Sequence, residues 1–423
     1  MCEVVNHVIV KGGSLVAEYI RKVLSLHDCV GLALGLACPG QPDQFHLFGC
    51  QDTEQRLPVN KGTRFGAASL TKSMTAVAIM QLQEKGLLSV HDPVARYVSE
   101  FRIPDPEATK QVTLHHLLTH TAGLPPLPTL GKVLAGELQT VPDMLSYLAD
   151  LAYELLGPPG VVFSYSNEST ALLGAVVERV SGLPYREYIG ARLFEPAAMA
   201  GSGFDSVSGP LTPARGLCTT IMDALRYTEL FRTGGCVGGV RLLSEESVRA
   251  MTHPWVREPD GAHYGYCLML TPEYPGGMLV EHVGSTRGIS AYFSVVPEQG
   301  VAAVVLANTG GVPAGRIALR AVNQILGLPA ETDRLPFTGE RPAVNLADFP
   351  GEYGGTDGFP LKVYLAAGGA HLELDGGTPL LPVAGDRFLY QQGETEMSAT
   401  FLRDAGGSVS ALFFGLRLLR RTA

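Results

Sequence analysis

The sequence predicts an α+β fold: an antiparallel sheet flanked by helices, broken by an all-helical region at about 92–213 and followed by a small antiparallel β-barrel. Three observations predict it. Strand-like runs paired across turns occur near residues 29–50 and again at 263–307, so distant parts of the chain must close one sheet. Between them the apolar residues recur mostly at helical spacing. Beyond about residue 345, short alternating runs are punctuated by Gly-Gly and Gly-Asp turns. The division expected is 1–329 for a catalytic unit, 330–344 for a polar, Pro-containing linker and 345–423 for the barrel.

Residues 14–27 read as an amphipathic helix with Leu15, Tyr19, Ile20 and Val23 on one face. Strands at 29–37 and 44–50 follow, separated by Pro39-Gly40. A short strand or turn from Phe65 leads into a helix whose apolar positions are Met74, Val77, Ala78, Ile79 and Leu82. Gly86 is placed to end it in a left-handed turn. Helices are expected at 112–121, 142–155, 169–180, 219–232 and 244–251. Strands at 263–270 and 278–283 are separated by a Pro/Gly loop, strands at 289–296 and 301–307 by Pro-Glu-Gln-Gly, and a last helix spans 314–326. In the barrel, six runs stand out at 360–365, 369–374, 379–383, 387–391, 397–403 and 408–416.

At 423 residues and 46% hydrophobic, the chain can bury a sizeable core. A formal charge of −9 and a pI near 5.7 argue against nucleic acid or an anionic membrane as partner. Neither a signal-peptide pattern nor an uninterrupted run of 18 apolar residues is present, so a cytoplasmic location is expected. The seven cysteines form no C-x-x-C pair and read as mostly buried thiols, with a disulfide among the four at positions 2, 29, 38 and 50 left open.

Ser69 and Lys72 stand just under one helical turn apart at the mouth of the helix. A serine hydroxyl needs a base to become a nucleophile, and a lysine serves only when burial or a nearby cation lowers its pKa. A plain alternative is a capping serine with a solvated lysine. Tyr165-Ser166-Asn167 precedes a helix. A phenol beside an ammonium ionises more easily, so Tyr165 could relay protons while the Asn167 amide holds Lys72 and a substrate carbonyl. His282-Val283-Gly284-Ser285 lies at the end of a strand. Gly284 would admit a close-lying substrate backbone, His282 would offer a donor near Tyr165, and the backbone N–H groups of Ser69 and Ser285 could receive an oxyanion. Arg287, just beyond, could take a substrate's C-terminal carboxylate or simply be a solvated strand residue. His263-Tyr264-Gly265 competes for the third role but begins what reads as a core strand. His115, His116 and His120 invite a metal reading, although no Glu and no third ligand accompany them, and no metal or cofactor is expected.

In this order and at these separations, Ser69-x-x-Lys72, Tyr165-Ser-Asn167 and His282-x-Gly284 resemble the three signature motifs of the serine β-lactamase and penicillin-binding-protein superfamily. Its class C-like branch is closest, and Leu117-Leu118-Thr119-His120-Thr121-Ala122-Gly123-Leu124-Pro125 and Leu193-Phe194-Glu195-Pro196 resemble stretches typical of it. The resemblance covers roughly 14–327. It implies a β-lactamase/transpeptidase-like fold, a Ser69 acyl-enzyme and proton transfers shared by Lys72 and Tyr165. His282 replaces the lysine usual in β-lactamases of this branch, and Tyr-Ser-Asn the usual Tyr-Ala-Asn, which shifts the expectation toward peptidases. The barrel resembles lipocalin-like domains appended to some D-amino-acid peptidases. The expected substrate is a small molecule or short peptide, in the order D-amino-acid-containing or short peptide, ester, β-lactam. A catalytically silent binder of peptides or cell-wall fragments is the rival from another class.

Overall fold

The computed structural model describes residues 13–54, 56–334, 345–354, 360–367, 369–392 and 395–422. The extreme N-terminus with Cys2 and most of the expected linker lie outside these residues. One antiparallel sheet of eight strands organises the first three-quarters of the chain. Its order is Gln44–Gly49, Gly31–Ala37, Val301–Ala307, Ile289–Val296, Leu279–Thr286, Met269–Thr271, His263–Tyr264 and Val256–Arg257. The closure expected from distant segments occurs where Leu34 pairs with Val305.

The central strands are buried on both faces, so they read as continuous apolar runs. Alternate residues nevertheless enter different cores. Ala302, Val304 and Leu306 pack toward the helical region, whereas Val301, Ala303 and Val305 pack against Gly13–Leu26 and Ala314–Leu326.

The helix Thr71–Glu84 is buried all round from Thr71 to Leu82, between the sheet and the helical region. Its hydroxyls find partners there: Ser73 Oγ donates to Leu70 O and accepts from Tyr227, and Thr75 Oγ1 donates to Pro213 O. It ends as the sequence implies. Gly86 has φ +68, Leu87 N–H donates to Leu82 O at 3.1 Å and Gly86 N–H to Gln83 O at 2.8 Å, a Schellman turn.

Several element limits differ from the sequence reading. The helix expected over 219–232 divides into Ile221–Tyr227 and Glu229–Arg232 after a strand, Leu217–Thr220, and that expected over 142–155 is Val141–Asp150. The strand expected over 263–270 is interrupted at Cys267, whose φ is +53, leaving His263–Tyr264 and Met269–Thr271. Of the six described cysteines, all unpaired, only Cys267 is buried and the others are half-buried, so the expectation of mostly buried thiols is corrected.

The C-terminal strands form a closed up-and-down barrel of eight, from Gly351–Gly354 to Arg417–Arg421, sealed where Tyr353 pairs with Arg421. Phe349, Tyr353, Phe388 and Phe401 fill its interior, with the Phe349 and Phe401 rings 4.7 Å apart. The sequence reading found six runs. It overlooked the short first strand and the last, Arg417–Arg421, because the run 408–416 stops in the hairpin turn Gly415-Leu416, where both φ values are positive at +55 and +67. Such a turn usually carries Asn-Gly, and leucine at a left-handed position gives no sequence signal.

Candidate active site

The first motif sits where a strand meets the buried helix. Arg64–Ala68 ends in Ala68 at φ +44, and Ser69 follows, half-buried, with the helix beginning at Thr71. No side chain caps that helix, so the capping reading of Ser69 is set aside. Thr71 Oγ1 fixes the turn by donating to Ala68 O and accepting from Leu217 N–H. Lys72 is fully buried, with Nζ 3.4 Å from Ser69 Oγ, 2.8 Å from Asn167 Oδ1 and 2.9 Å from Ala214 O.

Burial, above all, pushes the Lys72 amine down to about 7. Cys267 and Glu168 oppose this, and Arg417 and Arg215 assist it. The partners then define the amine. Asn167 Oδ1 and Ala214 O can only accept, so a neutral amine donates both its N–H groups to them. Its lone pair is left for the hydroxyl of Ser69.

The second motif gives each residue a separate task. Ser166 caps the helix Asn167–Ser181, its Oγ accepting from Ser169 N–H at 3.1 Å and donating to Glu168 at 2.8 Å. Asn167, at the first helical position, is thereby directed at Lys72. Tyr165 lays its ring 4.6 Å from Lys72 Nζ, and its buried hydroxyl has no hydrogen-bond partner by geometry. The expectation that Tyr165 ionises easily is corrected. Burial raises its pKa, and the proximity of Ser69 offsets only part of this. The residue stays a phenol.

His282 is fully buried, its ring 6.2 Å from that of Tyr165. Nδ1 lies 2.7 Å from Val283 O, which only accepts, so the single N–H of the neutral imidazole is there and Nε2, 3.5 Å from the Tyr264 hydroxyl, is an acceptor. Burial, then the charge of Lys72, push its pKa down to about 3. His282 therefore keeps its place beside Tyr165 but not the donor role expected of it. His263 lies half-buried in the two-residue strand nearer the sheet edge.

Gly284 is needed for a different reason from the one expected: a Cβ there would stand 2.2 Å from Ala67 O. The chain itself, where the Ser69 strand crosses, makes the close approach. Ser285 pairs with Ser290 at the exposed end of the strand. Arg287 is exposed on the following turn and makes no hydrogen bond or ion pair among the described residues.

The three histidines part company. His115 meets the Tyr266 hydroxyl at 3.0 Å, and His116 Nδ1 accepts from Thr113 N–H in a capping box. The helix ends at Leu118, so His120, at φ +55, is not on the same face. Its ring lies 4.5 Å from that of Tyr165, and Nδ1 accepts from Ser166 N–H at 3.4 Å.

Sequence reasoning missed His120 in this role, and also Ala214, Cys267 and Arg215, and it named no residue of the barrel. Tyr165 N–H donates to Leu416 O at 2.9 Å, so the tip of a barrel hairpin holds the tyrosine loop, and Phe413 and Leu418 pack with Phe163 and Tyr264 beneath it. One signal is visible afterwards. Four of the seven described non-glycine residues with positive φ are Ala68, His120, Cys267 and Leu416, all around Lys72, where strained backbone collects in functional sites.

Fold and motifs together define a protein built like the serine β-lactamases and penicillin-binding proteins. The beta-lactamase family model matches residues 16–326, and the chain belongs to that family. Protein Rv1367c of Mycobacterium tuberculosis is 29% identical over 259 residues, 49% of this chain and 63% of its own length. The chain thus spans less than two-thirds of that relative. The octameric penicillin-binding protein homologue of Pyrococcus abyssi superposes with a TM-score of 0.71 at 27% identity, covering 96% of this chain and 99% of its own. SurE superposes at 0.74 and 23% identity over 97% and 98% of the two chains, a likeness of fold. Among the described residues no helix is long and apolar enough to cross a membrane.

Proposed function

We propose that the protein is a serine hydrolase working through a Ser69 acyl-enzyme, most naturally as a peptidase on D-amino-acid-containing or short peptides. The observation that carries this reading is the Lys72 amine, buried and near pKa 7, with its donors committed and its free electron pair toward Ser69 Oγ. In this mechanism Lys72 takes the Ser69 proton as Oγ attacks the substrate carbonyl. The oxyanion is received by the backbone N–H groups of Ser69 and Ser285. Tyr165, a phenol throughout the neutral range, passes its proton to the departing amine and is reprotonated from Lys72. Water then attacks the acyl-enzyme, with Lys72 again the base.

The preference for peptides over β-lactams is supported by His282. A neutral imidazole whose N–H is committed to Val283 O cannot offer a β-lactam carboxylate the charge that an ammonium would. Esters stand second, because an activated ester needs only the nucleophile and base.

The test is a panel of D-alanyl and D-leucyl dipeptides, an activated acetyl ester and a penicillin, with wild type and Ser69→Ala. Turnover of the peptides ahead of the penicillin, at least 10⁴-fold reduced in Ser69→Ala, is expected. Faster penicillin hydrolysis would make the protein a β-lactamase. Activity surviving in Ser69→Ala above about 1% would place the nucleophile elsewhere.

A further inference from the structure

Beside the Lys72 site, Arg215 makes no ion pair among the described residues. Arg215 directly follows Ala214, whose carbonyl holds Lys72, so the backbone turn that orients the amine also carries this guanidinium. Nη2 donates to Thr286 Oγ1 at 3.2 Å, at the end of the strand bearing His282 and Gly284. The side chain therefore bridges the two walls between which Ser69 lies. Nη1 is buried and has no acceptor, and Arg215 forms no ion pair among the described residues. Asp205 acts on it only at a distance, its oxygens engaged by Val207 N–H, Ser208 N–H and Ser208 Oγ.

A buried N–H left without an acceptor is costly, and folded proteins seldom keep one that nothing else will satisfy. The surrounding charge points the same way. Although the whole chain is acidic, two guanidiniums, Arg417 and Arg215, act on Lys72 against Cys267 and a single carboxylate, Glu168, which Ser166 already engages. Arg287, where the sequence placed carboxylate recognition, is exposed beyond this bridge. A half-buried guanidinium with one N–H group still unpaired suits a carboxylate oxygen.

We propose that Arg215 is a specificity-determining residue that binds a carboxylate carried by the substrate's acyl portion, at the Thr286 end of the cleft. The preferred acyl donor is then an acidic one, such as a peptide or ester whose scissile carbonyl belongs to a residue with a free carboxylate side chain. This rests on the serine hydrolase reading above.

The experiment compares the α-thioesters of N-acetyl-D-glutamate and N-acetyl-D-glutamine, which differ only in carboxylate against amide, using the full chain as wild type, Arg215→Gln and Arg215→Lys. Wild type is expected to favour the acidic thioester by about tenfold or more in kcat/KM, the ratio falling to about one in Arg215→Gln and to an intermediate value in Arg215→Lys. No preference in wild type, or a preference intact in Arg215→Gln, overturns the proposal. Should wild type turn over neither thioester, calorimetric binding of the two free N-acetyl amino acids decides it. Tighter binding of the acid that Arg215→Gln abolishes upholds the site while the hydrolase reading fails, and equal binding overturns it. Circular dichroism checks that the variants are folded, and Arg215→Lys serves if Arg215→Gln is not.

Discussion

At the scale of single residues, the central matter is which group carries the proton. Lys72 has been brought down to about 7 by burial, whereas burial holds Tyr165 above its ordinary range. Only the neutral amine can accept from Ser69. A pH below about 7 protonates it, so kcat/KM on a neutral ester is expected to fall tenfold per pH unit on the acid side. Tyr165 contributes no competing limb near neutrality. A profile flat from pH 5 to 8 would remove Lys72 as base. Tyr165→Phe leaves the packing with His120 and Lys72 in place and removes the donor. It should slow acyl transfer to an amide leaving group more than to an activated ester, and equal rates for wild type and variant on both would take Tyr165 out of the mechanism. The Ser69 and Lys72 relation was legible in the sequence because one short turn, closed by Lys72 N–H donating to Ser69 O at 3.1 Å, fixes it locally. The raised pKa of Tyr165 was not, since it comes above all from burial, and the groups packed about the ring, His120, Tyr264 and the barrel, are all distant in sequence.

At the scale of elements, the site depends on how closely the Leu279–Thr286 strand approaches the strand before Ser69. Gly284→Ala would drive a methyl group to 2.2 Å from Ala67 O, backbone that cannot step aside without moving Ser69. The expected outcome is a loss of about 1–3 kcal/mol in urea denaturation together with a large fall in ester turnover. A variant of unchanged stability and rate would show that the two strands can part without consequence. The sequence marked this glycine as special, but not the reason, because nothing in His282-Val283-Gly284 reveals what crosses it. Strands with continuous apolar runs and helices with clear caps were readable along the chain. Short elements were not: the break at Cys267 and the Gly415-Leu416 hairpin depend on left-handed residues that tertiary contacts hold in place.

At the scale of the whole molecule, the barrel packs against the loop that carries Tyr165. Taken from sequence, deleting residues 345–423 should alter substrate range more than the chemistry on a small ester. The contacts predict that both suffer. Without the barrel, Tyr165 N–H loses Leu416 O, and Phe163, Tyr264 and Met269 lose the apolar cover of Phe413 and Leu418. Such a truncation is expected to lower the melting temperature and ester turnover together, and full activity on the ester would return the barrel to a peripheral role. The two-part organisation was visible in composition and turn spacing. Which residues of the two parts meet was not, because the faces that meet are ordinary apolar residues on both sides.

The most direct measurement is intact-protein mass after brief exposure to a fluorophosphonate, with Ser69→Ala as control. A single adduct on the wild-type chain that the variant lacks is the predicted result, since a buried, neutral Lys72 beside Ser69 makes that one hydroxyl a nucleophile. An unlabelled wild-type chain, or an adduct that persists in Ser69→Ala, would contradict the account and leave a catalytically silent cleft, or a different nucleophile, in its place.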